Sequence, residues 1–164
     1  MIEVRQRVST FDDDFCVTRI DRCAVSVRLQ RPLSITEADA VAILQRSFEL
    51  TEHRKYVVLA NMALISDVSP AARRVFCSAR NILAAARLGQ GPMDRMLSAP
   101  YEHAVYPSEY FTDQDSAQQW LSLMHDLVCT DPVEHTMSLT IDLDPFRLRP
   151  RNTPQLNSST QTAM

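Results

Sequence analysis

Tyr56-Val57-Val58-Leu59-Ala60 and, after a short connection, Ser66-Asp67-Val68-Ser69-Pro70 decide how this chain reads. The first stretch is an unbroken apolar run rich in β-formers. It shows no alternation that would give it a wet face. It therefore suits a strand covered on both sides, and that requires helices above and below a sheet. The second stretch ends in Ser69-Pro70, a serine able to cap a helix and a proline at its first position, where the missing N–H costs nothing. Ala72, Val75, Phe76 and Ala79 then recur at helical spacing. Strand, loop and helix start follow one another, with residues 61–68 read as the loop. In an α/β domain such a junction, at the carboxyl end of a buried strand, is where ligands and partners dock.

Working back toward the amino terminus, Thr36-Glu37-Ala38-Asp39 opens a helix. Thr36 can cap it and Asp39 stands three places on, close to a capping box. Val41, Leu44 and Phe48, widened by Ala38 and Ile43, give that helix one apolar face. Before it, residues 15–19 and 23–29 read as two strands around Asp21-Arg22. Cys23, Val25, Val27 and Leu29 alternate with Ala24, Ser26 and Arg28, the period of a half-buried strand in an antiparallel hairpin at a sheet edge. Residues 1–14 form an N-terminal segment ending in Asp12-Asp13-Asp14, and its start suits a short edge strand.

Working forward, residues 81–88 are rich in alanine but follow a helix directly, and they read as a second buried strand. Gly89-Gln90-Gly91-Pro92 breaks the chain, and Met93, Met96 and Leu97 sit at helical spacing beyond it. Such methionines are core residues as a rule. Exposed, they would make an adaptable docking surface. Residues 107–111 read as a third inner strand. Thr112-Asp113-Gln114-Asp115 caps the clearest helix, whose stripe is Ala117, Trp120, Leu121, Met124, Leu127 and Val128. Residues 131–146 contain an alternating segment, from Met137 to Leu143, that suits an extra edge strand. Residues 147–164 are poor in large apolar side chains and read as a disordered tail. The domain proper is residues 15–130. The expected fold class is α/β: a mixed, mostly parallel sheet with an N-terminal antiparallel hairpin and about four helices.

Composition narrows the function classes. Of 164 residues, 45% are hydrophobic and 23% charged, with a net charge of −3, so no basic excess points to nucleic acid. No apolar stretch approaches the ~20 residues of a membrane span. Met-Ile-Glu-Val-Arg-Gln-Arg has no apolar signal core behind it, and a cytoplasmic location follows by default. Cys16, Cys23, Cys77 and Cys129 form no C-x-x-C pair and read as reduced, small apolar residues. His53, His103, His125 and His135 have no histidine partner at i, i+4. A zinc site would have to gather ligands from distant segments, so no metal and no cofactor are expected. No catalytic constellation emerges either. Gly89-Gln90-Gly91-Pro92 lacks the lysine and Ser/Thr of a nucleotide loop.

Pro107-Ser108-Glu109-Tyr110-Phe111-Thr112-Asp113, with Ala117 and Trp120-Leu121 after it, resembles the closing segment of STAS-like domains, the fold of the anti-sigma-factor antagonists. The likeness spans roughly residues 15–123 and is greatest to an uncharacterised bacterial branch of small proteins. It implies a non-enzymatic, regulatory domain that binds a protein partner. In the antagonists, a loop of the type Asp-Ser-Ser-Gly follows a buried strand, and its second serine is phosphorylated by a partner kinase. Asp67-Val68-Ser69-Pro70 occupies that place here. Asp67 and Ser69 match, whereas Val68 and Pro70 depart. The resemblance thus implies a partner-binding or phosphoacceptor site at Ser66, Asp67, Ser69 and Arg73. Read locally, Ser69 is simply a helix cap. Some STAS-like relatives hold apolar ligands between sheet and helices, which leaves a small-molecule or lipid carrier as the alternative. A homo-oligomer formed through the segment from Met137 to Leu143 is a third reading.

Overall fold

The structure, a computed structural model, describes residues 9–11 and 14–137. The antiparallel start is β1 (Ser9–Phe11), β2 (Phe15–Asp21) and β3 (Ala24–Leu29). A short β4 (Leu33–Ile35) leads into α1 (Glu37–Leu50). Then come β5 (Tyr56–Asn61), β6 (Ile65–Val68), α2 (Pro70–Cys77) and β7 (Ile82–Leu88). The chain continues through α3 (Pro92–Ser98), a 3-10 turn (Ala99–His103), β8 (Ser108–Phe111) and α4 (Gln114–Val128). Six strands make one sheet in the order β1-β2-β3-β5-β7-β8, antiparallel through β3 and parallel beyond it. The expected mixed, mostly parallel α/β sheet with an N-terminal hairpin and about four helices is what the described residues adopt.

Each face of that sheet carries its own core. On one, Val25, Leu29, Tyr56, Val58 and Ile82 pack under α1 and α2 with Ala40, Ile43 and Ala72. On the other, Ala24, Val57, Leu59, Ala84 and Ala86 pack under α4 with Ala117 and Leu121. β5 contributes to both by simple alternation, which is why its sequence shows no polar face. The Thr36 capping box is complete: the Thr36 hydroxyl accepts from the Asp39 N–H at 3.2 Å, and the Asp39 carboxylate accepts from the Thr36 N–H at 2.9 Å.

Several expectations change. Residues 65–68 are not loop: they form β6, which pairs with β4 in a separate two-stranded sheet. β8 is the parallel edge of the main sheet rather than an inner strand. The cap of α4 is Asp113, one residue later than Thr112, because its carboxylate accepts from both the N–H and the hydroxyl of Ser116. Leu127, counted into the stripe of α4, is 69% exposed, while His125 is fully buried in that last turn. Residues 131–137 are irregular, and Met137 is buried rather than offered at an edge. The rest of the proposed edge strand, residues 138–146, and the tail, residues 147–164, lie outside the described residues. No helix among the described residues is long and apolar enough to cross a membrane.

Candidate functional site

The site is prepared by one irregularity in the sheet. Tyr56 pairs with Ile82 but Val57 with Ala84, so Leu83 is an extra residue in β7. An extra residue reverses which face every later side chain takes. Ala85 and Arg87 consequently stand beside Val58 and Ala60, on the face covered by α1 and α2. Two alanines in adjacent strands leave space there. A cavity of about 100 Å³ results, walled by Val27, Ala60, Ile65, Phe76, Ala85 and Tyr106, with Arg87 and Ser108 among the few polar groups on its lining. It is of the same order as apolar cavities of ~150 Å³ that accept benzene.

Arg87 is only 3% exposed. Its Nη1 donates to the carbonyl oxygen and the hydroxyl of Ser98, the last residue of α3. Its Nε and Nη2, both buried, have no hydrogen-bond partner, and neither has the buried Oγ of Ser108. Nε and Nη2 form one edge of the guanidinium, the pair of parallel donors that matches a carboxylate. Burial pulls the Arg87 guanidinium below its ordinary value, and the Glu102 carboxylate is the largest effect opposing it. Tyr101, with its ring 5.9 Å from that guanidinium, is pushed up to about 12 by burial. A buried cation with most of its N–H donors unpaired is costly, and an anion reaching them would satisfy it.

The residues singled out from the sequence divide into two groups. Ser66 and Asp67 are exposed on β6, whereas Val68 between them and the helix is buried. Ser69 is the N-cap of α2 and accepts from the Ala72 N–H at 3.0 Å. Arg73 folds back on the same turn: its Nη2 donates to the Val68 carbonyl at 3.3 Å. Ser69 and Arg73 are thus local helix-start chemistry, and only Ser66 and Asp67 project fully into solvent. The neighbouring α3 lies against β6 and exposes Met93 by 60% and Met96 by 70%. Leu64, in the turn before β6, is exposed and holds φ at 73°, a left-handed conformation unusual for a bulky residue.

A further candidate cluster was not legible from the histidine or cysteine spacings alone. Cys23, His125, Cys129 and His135 come together with their ligand atoms all within 4.8 Å of one another. Cys23 lies between β2 and β3, His125 and Cys129 one turn apart at the end of α4, and His135 in the segment that follows. Burial, then the neighbouring Cys129, pushes the Cys23 thiol up to about 12. Asp131 stands alongside, its carboxylate bonded to Arg22 at 2.6 Å and 3.5 Å from Arg54. The local signal was His125-x3-Cys129-x5-His135, a mixed spacing rather than a pair of like residues. Cys77, by contrast, belongs to no group of three or more such ligand residues among the described residues.

Among solved structures, the chain is similar to an uncharacterized protein of the DUF3478 family with a SpoIIAA-like fold from Shewanella loihica PV-4. The identity is 13% and the TM-score 0.46, over 71% of this chain and 92% of that one. No curated protein matches the chain. Residues 20–125 match the family described as a domain of unknown function (DUF7793), a span that holds β3, the whole parallel sheet, Arg87 and the cavity around it, and the chain belongs to that family.

Proposed function

We propose that this protein is a non-enzymatic regulatory domain that takes a small apolar carboxylate into the cavity beneath α1 and α2. The observation that carries the reading is Arg87, a buried residue on the lining of a largely apolar cavity, whose guanidinium Nε and Nη2 lack partners. The apolar wall suits a short hydrocarbon or a single ring, and the free edge of Arg87 suits its carboxylate. Ser108 Oγ would donate to the same anion.

The regulatory part of the reading rests on what surrounds the cavity. Val68, just before α2, and Phe76, near its end, are part of its wall, so a bound ligand would bear on the helix that Ser69 caps. Ser66 and Asp67 on β6, with Met93 and Met96 on α3, would form the face that a protein partner reads. Exposed methionines are adaptable contact residues. A phosphate on Ser69 would have to give up the hydroxyl's capping bond to Ala72, and it would gain the positive end of α2 in exchange.

Benzoate is a suitable probe. Titrating the full chain with benzoate should raise its thermal midpoint and shift amide resonances along β7 and α2. Benzyl alcohol, which has the ring without the charge, should do neither. Absence of any response to benzoate at about 10 mM, well above a millimolar Kd, would refute the carboxylate reading. Retention of a protein partner that is insensitive to Ser66→Arg and Met96→Glu would refute the docking face.

A further inference from the structure

We infer that Cys23, His125, Cys129 and His135 form a closed, tetrahedral zinc site that fastens the end of α4 and the chain after it to the turn between β2 and β3. The inference is independent of the cavity, since none of these residues lines it.

The two imidazoles are each held by an outer contact. His125 Nδ1 lies 2.9 Å from a carboxylate oxygen of Asp126, and His135 Nδ1 lies 2.8 Å from the carbonyl oxygen of Val133. Both partners can only accept, so in each ring Nδ1 carries the proton and donates it. Each Nε2 then presents a lone pair. Those two Nε2 atoms stand 3.1 Å apart, facing one another. Two lone pairs at that distance repel unless a cation lies between them. A metal ion is the cation that also accounts for the rest of the cluster.

Distances and donor types agree with zinc. Zn–N bonds near 2.0–2.1 Å and Zn–S bonds near 2.3 Å, at tetrahedral angles, place ligand atoms about 3.3–3.8 Å apart. Here His135 Nε2 is 3.1 Å from His125 Nε2 and 3.9 Å from Cys129 Sγ, each within about 0.2 Å of that span. Two sulfurs and two imidazole nitrogens favour zinc over magnesium or calcium, which prefer oxygen. The histidine–carboxylate and histidine–carbonyl bonds are the outer contacts that orient metal-bound imidazoles. All four positions are filled by the protein, and Cys23 and His125 are fully buried, so no position is left open for a substrate. The site is structural. It holds the segment that brings Met137 into the core beneath α4.

The test uses the full chain, produced without a metal-binding tag and supplied with zinc. Elemental analysis should find one zinc per chain. Cobalt in its place should give the visible bands of a tetrahedral ion and the near-ultraviolet absorption of cobalt–thiolate bonds. Cys129→Ser and His135→Ala, both at half-buried positions, should lose the metal while keeping the far-ultraviolet spectrum of the fold. Cys77→Ser should keep one zinc per chain. Asp126→Ala, which removes the outer contact of His125 together with the acceptor of the Met137 N–H but no metal ligand, should weaken zinc by about tenfold or more. Removing zinc with a chelator should lower the thermal midpoint of the wild-type chain and leave that of Cys129→Ser unchanged. The inference is overturned if the wild-type chain takes up no zinc and no tetrahedral cobalt. It is equally overturned if Cys129→Ser holds zinc as tightly as wild type, or if Cys23 and Cys129 are joined as a disulfide in freshly purified protein.

Discussion

Replacing Arg87 by methionine separates an arginine kept for a ligand from one kept for the fold. In a satisfied buried ion pair, deleting one partner costs about 3–5 kcal/mol, because the other charge is left stranded. Arg87 has no such partner among the described residues. The substitution gives up the Nη1 bonds to Ser98, a charged contact of about 1.5–3 kcal/mol, and leaves the Ser98 carbonyl short of a donor at about 1–3 kcal/mol. It also removes two buried nitrogens without partners, Nε and Nη2, each costing about 1–3 kcal/mol. The two sides nearly cancel. Without ligand, Arg87→Met should lie within about 1 kcal/mol of wild type, a few degrees in melting temperature for a domain of this size. With benzoate at a hundredfold excess over its Kd, wild type should gain about 2.7 kcal/mol and the variant nothing. The gain should fade as the pH drops through the ionisation of benzoic acid, since only the anion matches the guanidinium. Urea and thermal melts of both proteins, with and without benzoate, read all three numbers. A loss of 3 kcal/mol or more in ligand-free Arg87→Met, with the benzoate response intact, would refute the reasoning and make Arg87 a strut between β7 and α3.

Thr36→Ala removes the side-chain half of the capping box of α1, leaving the backbone N–H of residue 36 on the Asp39 carboxylate, and should cost about 1 kcal/mol in chemical denaturation, with the midpoint moving and the slope unchanged. Gly89→Ala should be worse. A methyl there would meet the Tyr110 hydroxyl at 2.5 Å and Asp94 Cβ at 2.6 Å, so α3 or Tyr110 must shift, at about 1–3 kcal/mol by the same measurement. Leu64→Gly should stabilise the chain by about 0.5–1 kcal/mol, because its φ of 73° suits glycine and its side chain is exposed, and a lower melting temperature would contradict this.

The fold was legible where one local rule decides. Tyr56-Val57-Val58-Leu59-Ala60 has no polar face because both of its faces are covered, and Thr36 with Asp39 announced a helix start that the structure repeats bond for bond. Ser69-Pro70 did the same for α2. Pairing decisions were less legible. Ile65-Ser66-Asp67-Val68 looked like loop because two of its four residues are polar and exposed, yet backbone pairing with β4 makes it strand. β8 read as an inner strand, but whether a strand is an edge depends on what lies beyond it, and its own residues do not encode that. The Arg87 site depends on the extra residue at Leu83, which no composition rule marks. The cysteine–histidine cluster stayed hidden for a related reason. Its ligands come from a turn near the start of the sheet and from the end of the last helix, and only the assembled sheet makes them neighbours.

Arg22 and Asp131, bonded at 2.6 Å, are 109 residues apart in the chain. That separation sets a clock on how the protein is made. The hairpin carrying Arg22 and Cys23 leaves the ribosome first, and at ~5–20 residues per second the segment that answers it emerges roughly 5–20 s later. For that interval Ala24, Val57 and Leu59 have no α4 above them, and the Cys23 thiol has no neighbour to share. The nascent chain is then a sheet with one bare apolar face, the form most open to chaperones and to wrong pairing. A stall late in translation, after β8 but before α4, would hold it there.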